Sequence, residues 1–148
     1  RSSDTLDYTL LFDEAMSVYC GKAHALFGQA PVALGWDRLR EQRFAGLGYH
    51  SPNMQMTQAQ RLPRSATGFD QESIATLILS GEFLGFLPDH YAEAFVQRSQ
   101  MRAVQPDVLR YDCQFFAITR RSPQASRATQ VFQGCLSAAH AVDGLSTP

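Results

Sequence analysis

Apolar and polar positions are patterned most sharply between Glu72 and Tyr91, where the order is helix, tight turn, buried strand and second helix. Ile74, Leu77 and Ile78 recur at helical spacing, Gly81 stands where a helix ends in the left-handed conformation, and Phe83 to Leu87 is a short apolar run. Pro88 suits the first turn of the following helix, where its missing N–H costs nothing. The pattern therefore predicts a helix over 71–80, a strand over 83–87 and a helix over 88–97.

The same reading extends along the chain. Tyr8, Leu10, Leu11 and Phe12, then Ala15, Met16, Val18 and Tyr19, flank the charged pair Asp13 and Glu14, which predicts strand, turn or bend, strand over 6–20. Residues 24–36 read as a loop, 36–40 as a helical turn and 44–49 as a short strand. Ser51 and Pro52 then open a helix to about residue 60, as N-cap and first helical residue. A strand over 64–67 precedes Asp70, which caps the helix over 71–80. Residues 101–104 form a short strand, Pro106 and Asp107 a break, and 109–119 the longest strand, its Phe115, Phe116 and Ile118 implying burial on both faces. Ser122 and Pro123 repeat the capping signal. The helix over 125–142 is expected to bury Val131, Phe132, Cys135, Leu136 and Ala139. Alternating strands and helices argue for an α/β fold with a largely parallel sheet.

Composition narrows the function classes. A chain of 148 residues is long enough for a true core. Its 13 basic and 14 acidic residues give a net charge of -1, which is not the footprint of a surface that grips nucleic-acid phosphates. Cys20, Cys113 and Cys135 are odd in number and have no CxxC spacing, so neither a disulfide framework nor a zinc site is signalled, and a cytoplasmic setting follows. No apolar run reaches the ~18 residues of a membrane span. The start at Arg1, in a polar stretch, suggests a piece of a longer protein.

Taken together, these segments resemble the effector-binding region of LysR-type transcriptional regulators. Leu11-Phe12-Asp13-Glu14 through Tyr19-Cys20-Gly21-Lys22-Ala23-His24-Ala25-Leu26 is similar to the family's strand entering the second lobe, with Ala25 in place of the proline of its His-Pro-Leu turn. Ser80 to Pro88 is similar to the family's Ala-Gly-x-Gly-Ile-x-x-Leu-Pro segment, with Phe83 in place of a second glycine. Ile118 to Pro123 with the following helix resembles its closing strand and helix. The resemblance implies a Rossmann-like, periplasmic-binding-protein-like pair of lobes with a small-molecule effector between them. Lobe II is then complete over 21–107, while lobe I is partial: 1–20 are its end and the crossover strand, and 108–148 return to it. DNA contact would belong to an N-terminal winged helix-turn-helix outside this chain, and self-association to the effector domains.

The loop from Gly48 to Asn53 joins a strand to a helix N-terminus, where free N–H groups and the helix dipole favour an anion such as a carboxylate. In an open α/β sheet, ligands collect at the carboxyl ends of the strands. Tyr49, His50, Ser51 and Asn53 are thus the first candidates for effector contact, set against the plainer role of Ser51 as a cap. Phe69, with Asp70 at the next such junction, and Phe115 on the returning strand complete the set. No cofactor is expected. Cys20 and His24 are four apart but lack a third orienting group, reading instead as a buried thiol and a surface imidazole, and the remaining histidines are scattered, so neither catalysis nor metal binding is indicated. The alternatives are a solute-binding protein of a transport system with the same architecture, a hydrolase or transferase, and a dimerisation module.

Overall fold

The structure, a computed structural model, describes residues 3–28, 35–121 and 125–141, so the expected capping by Ser122 and Pro123 lies outside the described residues. The chain divides into two compact units, one of them Ala15–Cys113 and the other drawn from the described residues on either side of it. In chain order the elements are β1 (Leu6–Gly21), α1 (Trp36–Leu39), β2 (Phe44–Leu47), α2 (Pro52–Ala59), β3 (Arg64–Gly68), α3 (Gln71–Leu79), β4 (Leu84–Pro88), α4 (Asp89–Gln97), β5 (Met101–Ala103), β6 (Arg110–Arg120) and α5 (Arg127–Ala141).

The unit Ala15–Cys113 is built on a sheet of order β3-β2-β4-β1-β5. β2 pairs parallel with β3 and β4, whereas β1 runs antiparallel to both β4 and β5, with Met16 opposite Pro88 and Cys20 opposite Leu84. The expected largely parallel sheet is thus mixed, because the strand that enters the unit is inserted between β4 and β5 and runs against both. Side chains alternate across each strand. Val18 and Cys20 on β1, Phe44 on β2 and Phe86 on β4 pack on one face with Leu39 and Leu109, while Tyr19, Ala45 and Leu87 pack on the other with Ile74 and Ile78 of α3. Phe86 is fully buried among the rings of Tyr111, Phe44 and Trp36, at 5.0, 5.3 and 6.3 Å between centroids. Burial of such a side chain contributes about 1.5–3 kcal/mol.

Helix ends follow the sequence signals closely. Ser51 Oγ accepts from Met54 N and Asp70 Oδ1 from Ser73 N, so both caps form as read. Gly81 has φ +80°, and a Cβ there would lie 2.6 Å from that of Ala23. α2 and α4 end differently, on Arg61 and Ser99 in the left-handed region, each with φ +54°. Leu62 N donates to Thr57 O and Gln100 N to Phe95 O, closing both ends in the same doubly bonded turn. Pro88 is the last residue of β4 and the N-cap of α4 rather than a residue of its first turn, its ψ of 135° being extended.

Two expectations fail in the other unit. β1 is one continuous strand of 16 residues, without the expected turn or bend. No glycine or proline interrupts it, and the Asp13 carboxylate instead accepts from Gln114 Nε2 at 3.1 Å. Nor is β6, which pairs with β1, buried on both faces: Phe115, Phe116 and Ile118 are 43%, 43% and 55% exposed. The face of α5 fares likewise, with Val131, Phe132, Cys135 and Ala139 exposed and Leu136 half-buried. Among the described residues no further layer closes over this ribbon and helix. Aromatic pairs hold what there is: Phe12 stacks on Phe115 at 4.8 Å and also meets His140, while Tyr8 meets Phe116 edge-on.

Candidate functional site

Where the parallel strands β2 and β3 end, their two loops are held together. Gly48 N donates to Gly68 O at 2.8 Å, and a Cβ on Gly48 would fall 2.8 Å from the Phe69 ring. Only glycine lets that ring lie so close to the backbone. The result is a shelf with Phe69 72% and Tyr49 46% exposed, at the carboxyl ends of the strands and beside the N-terminus of α2.

The polar groups beside the shelf are more constrained. Ser51 Oγ donates to Tyr49 O and accepts from Met54 N, both at 3.2 Å, so the cap also ties down the loop. His50 is exposed, its Nε2 3.1 Å from Gln55 Nε2. Asn53 is 2% exposed. Its Oδ1 accepts from Leu47 N at 3.2 Å, which fixes the orientation of the amide and leaves Nδ2 buried without a hydrogen-bond partner. The Tyr111 hydroxyl is also buried and unpartnered. Burial pushes that phenol's pKa up; Cys113 adds to the rise, Asn53 opposes it, and Tyr49 adds a small electrostatic contribution. These groups are therefore neighbours, although Asn53 and Tyr111 do not meet in hydrogen-bond geometry.

Of the expected contacts, Tyr49, His50, Ser51, Asn53 and Phe69 surround the ends of β2 and β3, whereas Phe115 belongs to the other unit, stacked on Phe12. Tyr111 is the residue that sequence reasoning missed. Alternation along β6 places it on the same side as Cys113 and Phe115, and that period was the signal. Asp70 is exposed and caps α3; its hydrogen bonds with Ser73 hold its carboxyl below the usual range.

The exposed histidine expected at His24 is in fact buried, 9% exposed, with Nδ1 accepting from Leu26 N at 3.1 Å. Burial depresses its pKa, against an opposing effect of Glu82, so the ring works as a neutral loop brace. Burial likewise pushes the Cys20 thiol up to about 11, with Arg102 opposing. Among the described residues no three His, Cys, Asp or Glu side chains gather as a metal would require. What the arrangement offers is a buried amide donor, a phenol and a helix N-terminus beside an aromatic shelf. That combination suits a small ligand bearing an oxygen acceptor and an apolar body.

Comparison with known proteins bears on the family and the fold. The family model described as the LysR substrate binding domain matches residues 1–141. The HTH-type transcriptional activator BauR of Pseudomonas aeruginosa is 32% identical over 127 residues, covering 86% of this chain, and the chain spans 42% of that protein's length. The regulatory domain of CcmR from Synechocystis PCC6803, solved in complex with 2-PG, superposes with a TM-score of 0.73 at 17% identity, over 95% of this chain and 70% of that one. The effector domain of AmpR from Pseudomonas aeruginosa gives 0.69 at 16% identity, over 96% and 69%. At such identities the solved structures speak for the shared fold.

Proposed function

The chain belongs to the LysR substrate-binding domain family, whose members are regulatory rather than enzymatic, and from this premise we propose that it senses a small carboxylate at the N-terminus of α2. The observation that carries the reading is the Asn53 amide, 2% exposed, oriented by Leu47 N, with Nδ2 unpartnered. A buried donor without an acceptor is costly, so a ligand oxygen that supplies one is strongly favoured. The helix dipole adds to this for an anion. Tyr111 contributes a second donor, its buried hydroxyl, while Tyr49 and Phe69 supply apolar contact, with His50 and Ser51 at the rim.

On this reading residues 21–107 form lobe II, and 1–20 and 108–148 belong to lobe I, whose returning strand carries Phe115 as a further proposed effector contact. The parent protein is a cytoplasmic regulator that contacts DNA through a separate N-terminal domain and self-associates through its effector domains. The effector acts by its differential affinity for two conformations. Among the described residues no helix is long and apolar enough to cross a membrane.

Thermal-shift screening of small carboxylates against this chain tests the site. A ligand at a hundred times its Kd stabilises the folded state by about 2.7 kcal/mol. The shift should vanish in Asn53→Asp, which keeps an acceptor for Leu47 N but sets a second acceptor, ionisable at that, where the carboxylate needs a donor. A shift of equal size in both proteins would remove Asn53 from the site, and the absence of any carboxylate that shifts the wild type would refute the ligand class.

A further inference from the structure

An open cavity of about 410 Å³ runs along α4, lined by β1, one side of that helix and the residues around β5. It shares no residue with the shelf at Tyr49 and Phe69. Ser17 is 1% exposed, lines this cavity, and its Oγ has no hydrogen-bond partner. Tyr19 donates its hydroxyl hydrogen to Asp89 Oδ1 at 2.9 Å, which holds that carboxylate at the wall. Glu93 follows one turn later on the same side of α4, its Oε1 accepting from Gln97 Nε2 at 3.0 Å.

The wall therefore combines two carboxylates and a hydroxyl with apolar surface from Val96, Ala103 and Pro106. Among the described residues no Lys or Arg lines it. Arg110 is within electrostatic reach of Asp89, but its Nη2 is engaged by Asp112 Oδ1 at 2.6 Å. His90, an exposed residue of the lining, has an interaction of its own. Acceptors outnumber donors here, and an anion would face two like charges.

We propose that this cavity binds a small organic ammonium compound, whose N–H groups donate to Ser17 Oγ and to the carboxylates of Asp89 and Glu93 while its carbon chain lies against Val96, Ala103 and Pro106. The ligand satisfies a hydroxyl that the fold buries without a partner. It also supplies the positive charge that the lining lacks. This site is separate from the carboxylate site, and neither depends on the other.

Calorimetric titration of this chain with n-butylammonium chloride tests the assignment, with sodium chloride, n-butanol and sodium butyrate as controls. Saturable binding is expected for the ammonium compound and not for butyrate. Ser17→Ala removes a hydroxyl with no internal partner and Glu93→Gln changes an exposed side chain, so both variants should fold as the wild type does. Each should weaken n-butylammonium binding roughly tenfold, the scale of one hydrogen bond to a charged group. The proposal is overturned by the absence of saturable binding, by butanol or butyrate binding as well as the ammonium compound, or by both variants retaining wild-type affinity.

Discussion

Removing the hydroxyl of Ser51 provides a quantitative test of how the loop after β2 is held. The side chain satisfies the Met54 N–H, one of the donors that the first turn of α2 leaves unpaired, and donates in turn to Tyr49 O. Loss of such a cap costs about 1 kcal/mol on replacement by Ala but only a few tenths by Gly, since Gly adopts the extended cap conformation readily and leaves the N–H groups open to water. The bond to Tyr49 O is exposed, so water replaces it at little cost. The expected order of stability is wild type, then Ser51→Gly, then Ser51→Ala, with Ser51→Thr close to wild type because the oxygen is kept. Urea unfolding followed by tryptophan fluorescence reads this directly. Trp36 is the only tryptophan and lies in the same unit as α2, 6.3 Å from the Phe86 ring. A cost of about 1 kcal/mol moves the midpoint by roughly half a molar urea. An Ala variant indistinguishable from wild type, or a Gly variant as damaged as the Ala one, would refute the capping argument.

Three further outcomes follow from the same structure. Ser99→Gly relieves a left-handed residue at the end of α4, φ +54°, and should raise stability by about 1 kcal/mol, measured by the same unfolding. Cys135 is exposed whereas Cys20 is buried with its thiol pushed up to about 11, so a thiol reagent at neutral pH should modify Cys135 in the folded protein and Cys20 only after unfolding, as peptide mapping will show. His24 has a folded pKa below its ordinary 6.5, so the unfolded chain takes up its proton first. Its stabilising contribution is complete above about pH 6.5 and is lost as the pH falls through the folded value. The wild type should therefore lose more stability than His24→Gln between about pH 7 and 5.5; equal losses would show that His24 is not the group responsible.

Much of the unit Ala15–Cys113 is legible in the sequence because its signals are local. Ser51 and Asp70 cap where their types and spacing say they should, Gly81 turns where a helix must stop, and the run to Leu87 is buried as its composition demands. What local pattern does not carry is direction and company. Nothing in residues 16–21 reveals that β1 lies antiparallel between β4 and β5, since an apolar run reads the same both ways. Phe116, Val131 and Phe132 carry the pattern of core residues, yet burial depends on the layer facing them, and that layer is not encoded in their own periodicity. The candidate site shows the same division. The loop from Tyr49 to Asn53 is visible as a strand-to-helix junction, but the nearness of Asn53 to Tyr111 involves residues 58 apart in sequence. His24 reads as a surface imidazole until the fold turns its ring toward the Leu26 amide.

The continuity of β1 also has a bearing on protein engineering. The unit Ala15–Cys113 is entered once, within β1, and left once, within β6, and both passages occur inside extended strands rather than loops. A recombinant exchange of this unit with that of a relative therefore needs two joints, after Glu14 and after Cys113, each between backbone conformations that any β-competent residue adopts. Such a cassette would carry the shelf at Tyr49 and Phe69 together with the pocket at Ser17 and Asp89.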